Sequence, residues 1–183
     1  MRTDCIIYTI LGLLLIALLL GAGCTQTPAA TGPSEIKIGV VASMTGPAST
    51  TGKDIWQSAE LAANEINAKG GVPVRELGRS LPVRLIQGDD ESTREGGMKA
   101  VTKLITQDEV NVLVGGYSSA VVSAHQSIVA DNKVPYIISG ASSSAVSRRT
   151  DLDTSYMFFH RPNTDDSAEA SIQFLTDVFR PAI

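Results

Sequence analysis

A loop between a predicted strand and a predicted helix is the first place in this sequence where chemistry could occur. The stretch MTGPASTTGKDI, residues 44–55, contains a Gly-Lys pair, as nucleotide-phosphate loops do. Such loops have four residues between the two glycines and a Ser or Thr after the lysine. Here five residues separate Gly46 from Gly52, a proline removes one backbone donor, and Asp54 follows the lysine. The spacing argues against nucleotide binding. Asp54 is predicted to cap the next helix.

Two serine-containing loops offer a different chemistry. GGYSSA at residues 115–120 and GASSSA at residues 140–145 each follow a predicted strand. A helix that begins at Ser118 or Ser119 has free N–H groups and a partial positive charge at its start, which suits a carboxylate. The two loops therefore indicate a site that holds a small polar ligand by hydrogen bonds. The alternative is that these serines only cap helices. The loop at residues 44–55 is then either a plain turn or one wall of the same cleft.

The GYSSA stretch also resembles the nucleophile elbow of serine hydrolases, G-x-S-x-G. Ser118, Asp151 or Asp153, and His160 would follow the chain order of that family. However, alanine replaces the last glycine, and His160 is predicted to lie inside a strand. The sequence therefore predicts a protein that is not an enzyme.

Metal and cofactor chemistry is not indicated. The acidic run at residues 89–91 has no histidine near it, so we expect a solvated strand end rather than a metal site. His125 is predicted to be an ordinary packing or surface residue. The chain contains only two cysteines, Cys5 and Cys24, which excludes a thiolate zinc cluster. No cofactor is expected.

These loops require a scaffold of alternating strands and helices. Strands are predicted from apolar runs, and helices from apolar residues at helical spacing. The predicted strands cover residues 36–42, 83–87, 110–114, 134–139 and 156–161, and the predicted helices cover 54–68, 93–107, 119–131 and 165–179. This alternation predicts an α/β fold, a three-layer αβα arrangement with a mostly parallel sheet. Ligands of such folds bind at the carboxyl ends of the strands.

The N-terminus has the pattern of an export signal. Residues 6–20 are apolar and uncharged, and small residues lead into Cys24, a pattern that resembles the lipobox of lipoproteins. We expect a signal peptide over residues 1–23, a lipid-anchored flexible tether over 24–34, and a ligand-binding lobe over 35–183. An uncut membrane anchor is the alternative. Either places the lobe outside the cytoplasmic membrane. A net charge of −4 and 5% aromatic residues argue against a nucleic-acid partner.

Several blocks of this sequence resemble, in order and spacing, the type I periplasmic binding proteins, in particular the branched-chain amino acid receptors of ABC transporters. The resemblance covers most of residues 35–179. It is carried by the blocks IKIGVVASMTGPASTTGKD, AANEINAKGGV, LVGGYSSAVV, VPYIISGASS and FFHRPNTDDS. It implies a first lobe that binds an amino-acid-like ligand, and a permease partner in the membrane.

The resemblance also implies roles for particular residues. Ser119 would bind the ligand carboxylate through its hydroxyl and N–H, with Ser118 beside it. The Gly140 carbonyl would accept from the ligand ammonium, and Ser142 would add a hydroxyl. Tyr117 would contact the ligand side chain, as would Thr51, which stands where the family often has an aromatic residue.

The end of the sequence lies about where the family crosses to its second lobe. We therefore expect an incomplete first lobe with an exposed apolar patch, and weak ligand binding with a dissociation constant of roughly 1 mM or above. Two alternatives to an importer component remain. One is a ligand-sensing ectodomain of a signalling system, and the other is a truncated lobe without function.

Overall fold

The structure, a computed structural model, describes residues 32–179, so the predicted signal peptide, Cys24 and most of the predicted tether lie outside the described residues. The strands are β1 (Ile36–Ala42), β2 (Val72–Val74), β3 (Arg79–Leu81), β4 (Val83–Asp89), β5 (Val112–Gly115), β6 (Tyr136–Ile138) and β7 (Met157–Phe159). The helices are α1 (Ser49–Ala68), α2 (Arg94–Thr106), α3 (Ser119–Asn132), α4 (Ser144–Ser147) and α5 (Thr164–Phe174). A 3-10 turn at Arg75–Leu77 joins β2 to β3, and a π-helical turn at Leu175–Phe179 follows α5.

Five strands form one parallel sheet in the order β4-β1-β5-β6-β7. The first of the described strands, β1, is thus an interior strand, with β4 on one side and β5 on the other. Ile38 of β1 lies in register with Leu85 of β4 and Val112 of β5. The direction in which the chain winds reverses between β1 and β5, which is the point where such sheets open a ligand crevice at their carboxyl edge. The predicted α/β fold with a mostly parallel sheet is confirmed.

One face of the sheet carries most of the core. Alternate residues of the strands point to this face, where α2 and α3 cover them. The core cluster includes Val41, Leu113, Tyr136, Ile138 and Met157 from the strands and Val101, Leu104, Val122 and Val129 from the two helices.

The opposite face is only partly covered. Helix α1 packs on β4 and β1, whereas β6 and β7 have exposed apolar side chains on this side. Ile137 is 43% exposed, and Phe158, which lies in register with it, is 54% exposed. The exposed apolar patch expected from the sequence is therefore present in the structure.

The largest difference from the predicted elements is the start of α1. The helix begins at Ser49 and not at Asp54, and Ala48 is its N-cap residue. The prediction that Asp54 caps this helix is wrong. Gly52 and Lys53 lie inside the helix, and the Gly52 N–H donates to the Ala48 carbonyl at 3.0 Å, so the stretch is not a phosphate-binding loop.

The remaining differences are small. The β2–β3 hairpin and the short helix α4 were not predicted. The last predicted strand, residues 156–161, is shorter than expected, and His160 lies just after β7. Within residues 32–179, no helix has both the length and the apolar character needed to cross a membrane.

Candidate functional site

A cavity of about 380 Å³ lies at the carboxyl edge of the sheet, between the loops that follow β1 and β5. These are the two strands at which the winding reverses, so the position agrees with the general rule for open α/β sheets. The cavity is lined by Pro47, Ala48, Thr51, Ser92, Tyr117 and Ser118. Three of the residues predicted for the site, namely Thr51, Tyr117 and Ser118, are therefore brought together here.

The start of α3 borders this cavity. Ser118 is the N-cap residue of α3, but its side chain makes no capping hydrogen bond. In the described part of the chain, the N–H groups of Ser119 and Ala120 have no acceptor. The Ser119 hydroxyl accepts from the Ser143 N–H at 3.3 Å, which links the two serine loops. The helix start thus offers unpaired N–H groups and a positive partial charge.

The loop after β6 is bonded directly to the loop after β5. The N–H groups of Gly140 and Ala141 both donate to the Gly116 carbonyl at 3.0 Å. Position 140 requires glycine, because a Cβ there would lie 2.7 Å from the Tyr117 Cα. Among residues 32–179, no donor pairs with the Gly140 carbonyl. An open acceptor therefore lies close to Tyr117, on the loop that is bonded to the start of α3.

Ser142 lies on the loop after β6, at the edge of the candidate site, and contacts α5. Its carbonyl accepts from the Thr164 N–H at 2.8 Å, and its hydroxyl lies 3.4 Å from the Thr164 hydroxyl. Ser142 is thus engaged with the first turn of α5, in contrast to the unpaired groups at the start of α3.

A second cavity, of about 560 Å³, extends from the same edge along the partly covered face of the sheet. Thr51 and Tyr117 line both cavities. The far part of the larger cavity is apolar and is bounded by Ile38, Ala62, Ile66, Val83 and Leu85, and its near part is bounded by Asp54, Ser139, Gly140 and Arg161. The larger cavity is therefore mainly an apolar groove under α1, and only its near end touches the predicted site.

The loop after β1 is held by Asp89, which belongs to the acidic run predicted to be a solvated strand end. Asp89 accepts from the N–H groups of Met44, Thr45 and Glu91 at 2.9, 3.2 and 2.8 Å, and from the Thr45 hydroxyl at 2.8 Å. Burial alone would raise the pKa of Asp89, but the hydrogen bonds from Glu91, Thr45 and Met44 outweigh it and keep the pKa below its usual value.

Ser92 adds a second tie between the same two loops. Its hydroxyl donates to the Thr45 carbonyl at 3.0 Å and accepts from the Ala48 N–H at 3.1 Å. Glu91 and Ser92 both adopt the left-handed conformation, with φ of 54° and 57°. Non-glycine residues in this region are strained and tend to occur at functional sites. The strained turn brings the Ser92 hydroxyl to the wall of the smaller cavity.

We expect Asp89→Ala to destabilise the folded chain by about 2 kcal/mol, because three N–H groups and one hydroxyl lose their acceptor. Urea unfolding at pH 7 measures the effect. Asp89→Asn, which keeps one oxygen acceptor, should cost less. Asp131→Ala, at an exposed aspartate of α3, is the control and should change stability by less than about 0.5 kcal/mol.

Because the folded-state pKa of Asp89 is lowered, its stabilising contribution is present at neutral pH and is lost as the pH falls through that pKa. The difference between wild type and Asp89→Ala should therefore shrink in strong acid. Equal stability of wild type and Asp89→Ala at pH 7 would contradict this account.

A buried polar group lies below the loops. Asp90 is 1% exposed, so the expectation that residues 89–91 form a solvated strand end is wrong at this position. Its carboxylate accepts from the Ser43 hydroxyl at 2.5 Å and from the Ser92 N–H at 2.9 Å. Both hydrogen bonds are made to Oδ1, whereas Oδ2 is buried and has no hydrogen-bond partner in the described part of the chain, so the desolvation of this carboxylate is only partly compensated.

His125 and Tyr136 form the second buried polar contact, with the His125 Nε2 and the Tyr136 hydroxyl 3.4 Å apart. Burial lowers the pKa of His125 to about 4. Burial, together with the negative charge of Asp90, raises the pKa of Tyr136 far above its usual value. Both side chains are therefore neutral at pH 7. His125 was predicted to be a packing or surface residue, and the structure shows that it is a buried packing residue.

The groups weighed for a hydrolase are engaged elsewhere. Asp151 pairs with Arg149, and Asp153 accepts from the Ser155 hydroxyl at 2.5 Å. Neither carboxylate hydrogen bonds to His160 or Ser118 in the part of the chain that the structure covers. Over residues 32–179, no three His, Cys, Asp or Glu side chains are grouped so that they could hold a metal ion.

Comparison with known proteins gives consistent matches. Residues 35–180 match the family model described as periplasmic binding protein. The chain is 29% identical over 116 residues to a Leu/Ile/Val-binding protein of Rhizobium johnstonii, covering 63% of this chain and 30% of that protein. It is 27% identical over 170 residues to Leu/Ile/Val-binding protein homolog 8 of Brucella suis, covering 93% of this chain and 40% of that protein.

Solved structures share the fold. A branched-chain amino acid transporter substrate-binding protein of Streptococcus pneumoniae, in complex with isoleucine, has a TM-score of 0.65 at 24% identity, over 80% of this chain and 39% of that one. A solute-binding protein of an ABC transporter from R. palustris, in complex with benzoate, has a TM-score of 0.63 at 23% identity, over 79% of this chain and 38% of that one. The chain spans 30–40% of the length of the curated relatives described above.

Proposed function

The chain belongs to the periplasmic binding protein family, whose model matches residues 35–180, and from this premise we propose that it is the extracytoplasmic solute-binding component of an ABC importer. The proposed ligand is an amino acid of the branched-chain type or a related small carboxylate or amide. The proposed partner is a permease in the membrane.

The observation that carries this proposal is the group of unpaired polar atoms at the carboxyl edge of the sheet. The N–H groups at the start of α3 can donate to a carboxylate, and the Gly140 carbonyl can accept from an ammonium or amide group. Tyr117, 44% exposed, lies beside both and lines both cavities. Uncharged groups of this kind suit a small ligand with its own charges.

The ligands of structural neighbours support the same chemical class. One neighbour was solved with isoleucine and another with benzoate, and both compounds combine a carboxylate with an apolar body. In this chain, Ser119 is the proposed carboxylate contact, with Ser118, Ser142, Tyr117 and Thr51 around the ligand. The class of ligand is therefore proposed as an apolar carboxylate, with or without an amino group.

The location outside the cytoplasmic membrane follows from the family and from the sequence pattern of the N-terminus. We propose residues 1–23 as the export signal and Cys24 as the lipidated residue that holds the chain at the membrane surface. A lipid on Cys24 would keep the binding lobe close to its permease.

Titration of the full ¹⁵N-labelled chain with L-isoleucine and with benzoate, followed by NMR, tests the proposal. We expect saturable shifts in the Ser118–Ala120 and Gly140 amides, with a dissociation constant of roughly 1 mM or above, since the described site is open to water on one side. Ser119→Ala should weaken binding by about tenfold, because it removes a hydroxyl next to the ligand charge.

Ser123→Ala, one turn further along α3 and outside both cavities, is the matched control and should leave the affinity unchanged. Shifts that do not saturate with any of these compounds would contradict a solute-binding role for this chain. They would favour a lobe without retained function.

A further inference from the structure

Two charged side chains line the larger cavity, and they come from opposite ends of the strand order. Asp54 belongs to α1, which packs on β4 and β1. Arg161 follows β7, the strand at the other edge of the sheet. The apolar and neutral groups Val114, Gly115, Tyr117 and Gly140 lie between these two walls. The cavity therefore has a negative wall and a positive wall.

Arg161 is held in place by its chain neighbours. The His160 N–H donates to the Ile138 carbonyl at 3.4 Å, and the Thr164 N–H donates to the Ser142 carbonyl at 2.8 Å. Pro162 follows Arg161 directly and restricts its backbone to extended conformations. These constraints keep Arg161 beside the loop after β6, where Ser139 and Gly140 line the cavity.

The guanidinium of Arg161 has no protein partner in the described structure, unlike several other cations. Arg84, Lys103, Arg148 and Arg149 all form ion pairs with carboxylates. Asp166, in the first turn of α5, pairs with Arg148 at 2.5 Å and is thus not available to Arg161. An unpaired guanidinium at an apolar cavity is suited to the carboxylate of a ligand, which it can bind with two parallel hydrogen bonds.

We propose that Arg161 is a specificity-determining residue that pairs with the carboxylate of an apolar acid in the larger cavity, as an alternative to the carboxylate contact at the start of α3. The inference deepens the proposed solute-binding function and rests on it. Asp54 repels a carboxylate from the α1 wall, so the acid group points to Arg161 and the apolar body lies against Val114 and Ile55. The ligand class favoured by the positive wall at Arg161 is an aromatic or aliphatic monocarboxylate.

A comparison of benzoate with benzamide isolates the contribution of the ligand charge, because the two compounds differ little in shape. NMR titrations of the full chain give both dissociation constants. Wild type should bind benzoate about fivefold more tightly than benzamide, the modest factor expected for a partly exposed ion pair. Arg161→Gln should reduce this ratio to about one, and Arg161→Lys should keep part of it.

Arg94→Gln, at an exposed arginine of α2 away from the cavity, changes the net charge equally and should leave the ratio unchanged. A ratio that Arg161→Gln does not reduce would overturn the role of Arg161, while saturable benzoate binding would still support the proposed function. Failure of wild type to bind benzoate, benzamide or isoleucine would overturn both. The dispersion of the Arg161→Gln amide spectrum shows that the variant is folded.

Discussion

Replacing Gly52 with alanine is expected to destabilise the folded chain by about 3 kcal/mol, although the same change stabilises an isolated helix by about 1 kcal/mol. Gly52 is buried in the first turn of α1, against the chain that leaves β1. A Cβ at this position would overlap the Ser43 carbonyl oxygen and lie 2.8 Å from the Ser43 nitrogen. Both atoms belong to the backbone, so relief of the overlap requires the helix to move away from the loop after β1.

Urea unfolding of wild type and Gly52→Ala at pH 7 measures this effect. Lys53→Ala, the next residue of the same helix and fully outside the contact, is the control and should change stability by less than about 0.5 kcal/mol. A Gly52→Ala variant as stable as wild type would show that α1 does not approach the Ser43 backbone as described. The contact also fixes the position of Thr51, which lines both cavities. The NMR amide shifts of the residues that line the cavities should therefore change in Gly52→Ala and not in Lys53→Ala.

Acidification from pH 7 to pH 4 is expected to remove about 3 kcal/mol of stability through His125 alone. Burial lowers the pKa of this side chain to about 4, whereas the unfolded chain has the ordinary value of 6.5. Between these two values the unfolded state binds more protons than the folded state, so stability falls as the pH falls. The contribution of His125 is complete above pH 6.5 and is lost progressively below it.

Urea unfolding at several pH values between 7 and 4, for wild type and His125→Gln, tests this prediction. The variant should be less stable at pH 7, because it disturbs the contact with Tyr136, but its stability should depend less steeply on pH. Carboxylates such as Asp89 contribute the same background to both proteins. Parallel stability curves for the two proteins would show that His125 does not titrate in this range.

Strand positions in this chain could be predicted from the sequence because a strand that is buried on both faces of the sheet is a continuous run of apolar residues. β1 is a continuous run of apolar and β-branched residues, and its predicted bounds, 36–42, agree with the structure. Helix α2 was predicted within one residue at each end, since Thr93 caps it by accepting from the Gly96 N–H at 2.9 Å. Local signals were sufficient at both elements.

Features that depend on contacts between distant residues could not be predicted. The early start of α1 depends on the fit of Gly52 against Ser43, and a glycine in a helix normally argues for a break. The burial of Asp90 depends on a hydrogen bond from Ser43, which is 47 residues away in the sequence. In each case, tertiary packing reverses what the local composition indicates.

The candidate site was partly predictable from the positions of its residues relative to the strands. Tyr117, Ser118 and Gly140 follow strands directly, and a parallel sheet gathers such loops at one edge. The roles of Asp89, Ser92 and Arg161 were missed, the first two because they hold another loop and the last because it lay in a predicted strand.

The interior position of β1 has a consequence for the chain as it emerges from the ribosome. β1 is delivered first, but its two neighbours in the sheet, β4 and β5, end only at residues 89 and 115. An emerging chain that stops short of β5 therefore has one side of β1 without hydrogen-bond partners and no completed crevice. Because such non-local pairing is slow to form, the order of the strands delays completion of the sheet until β5 and the strands after it are available.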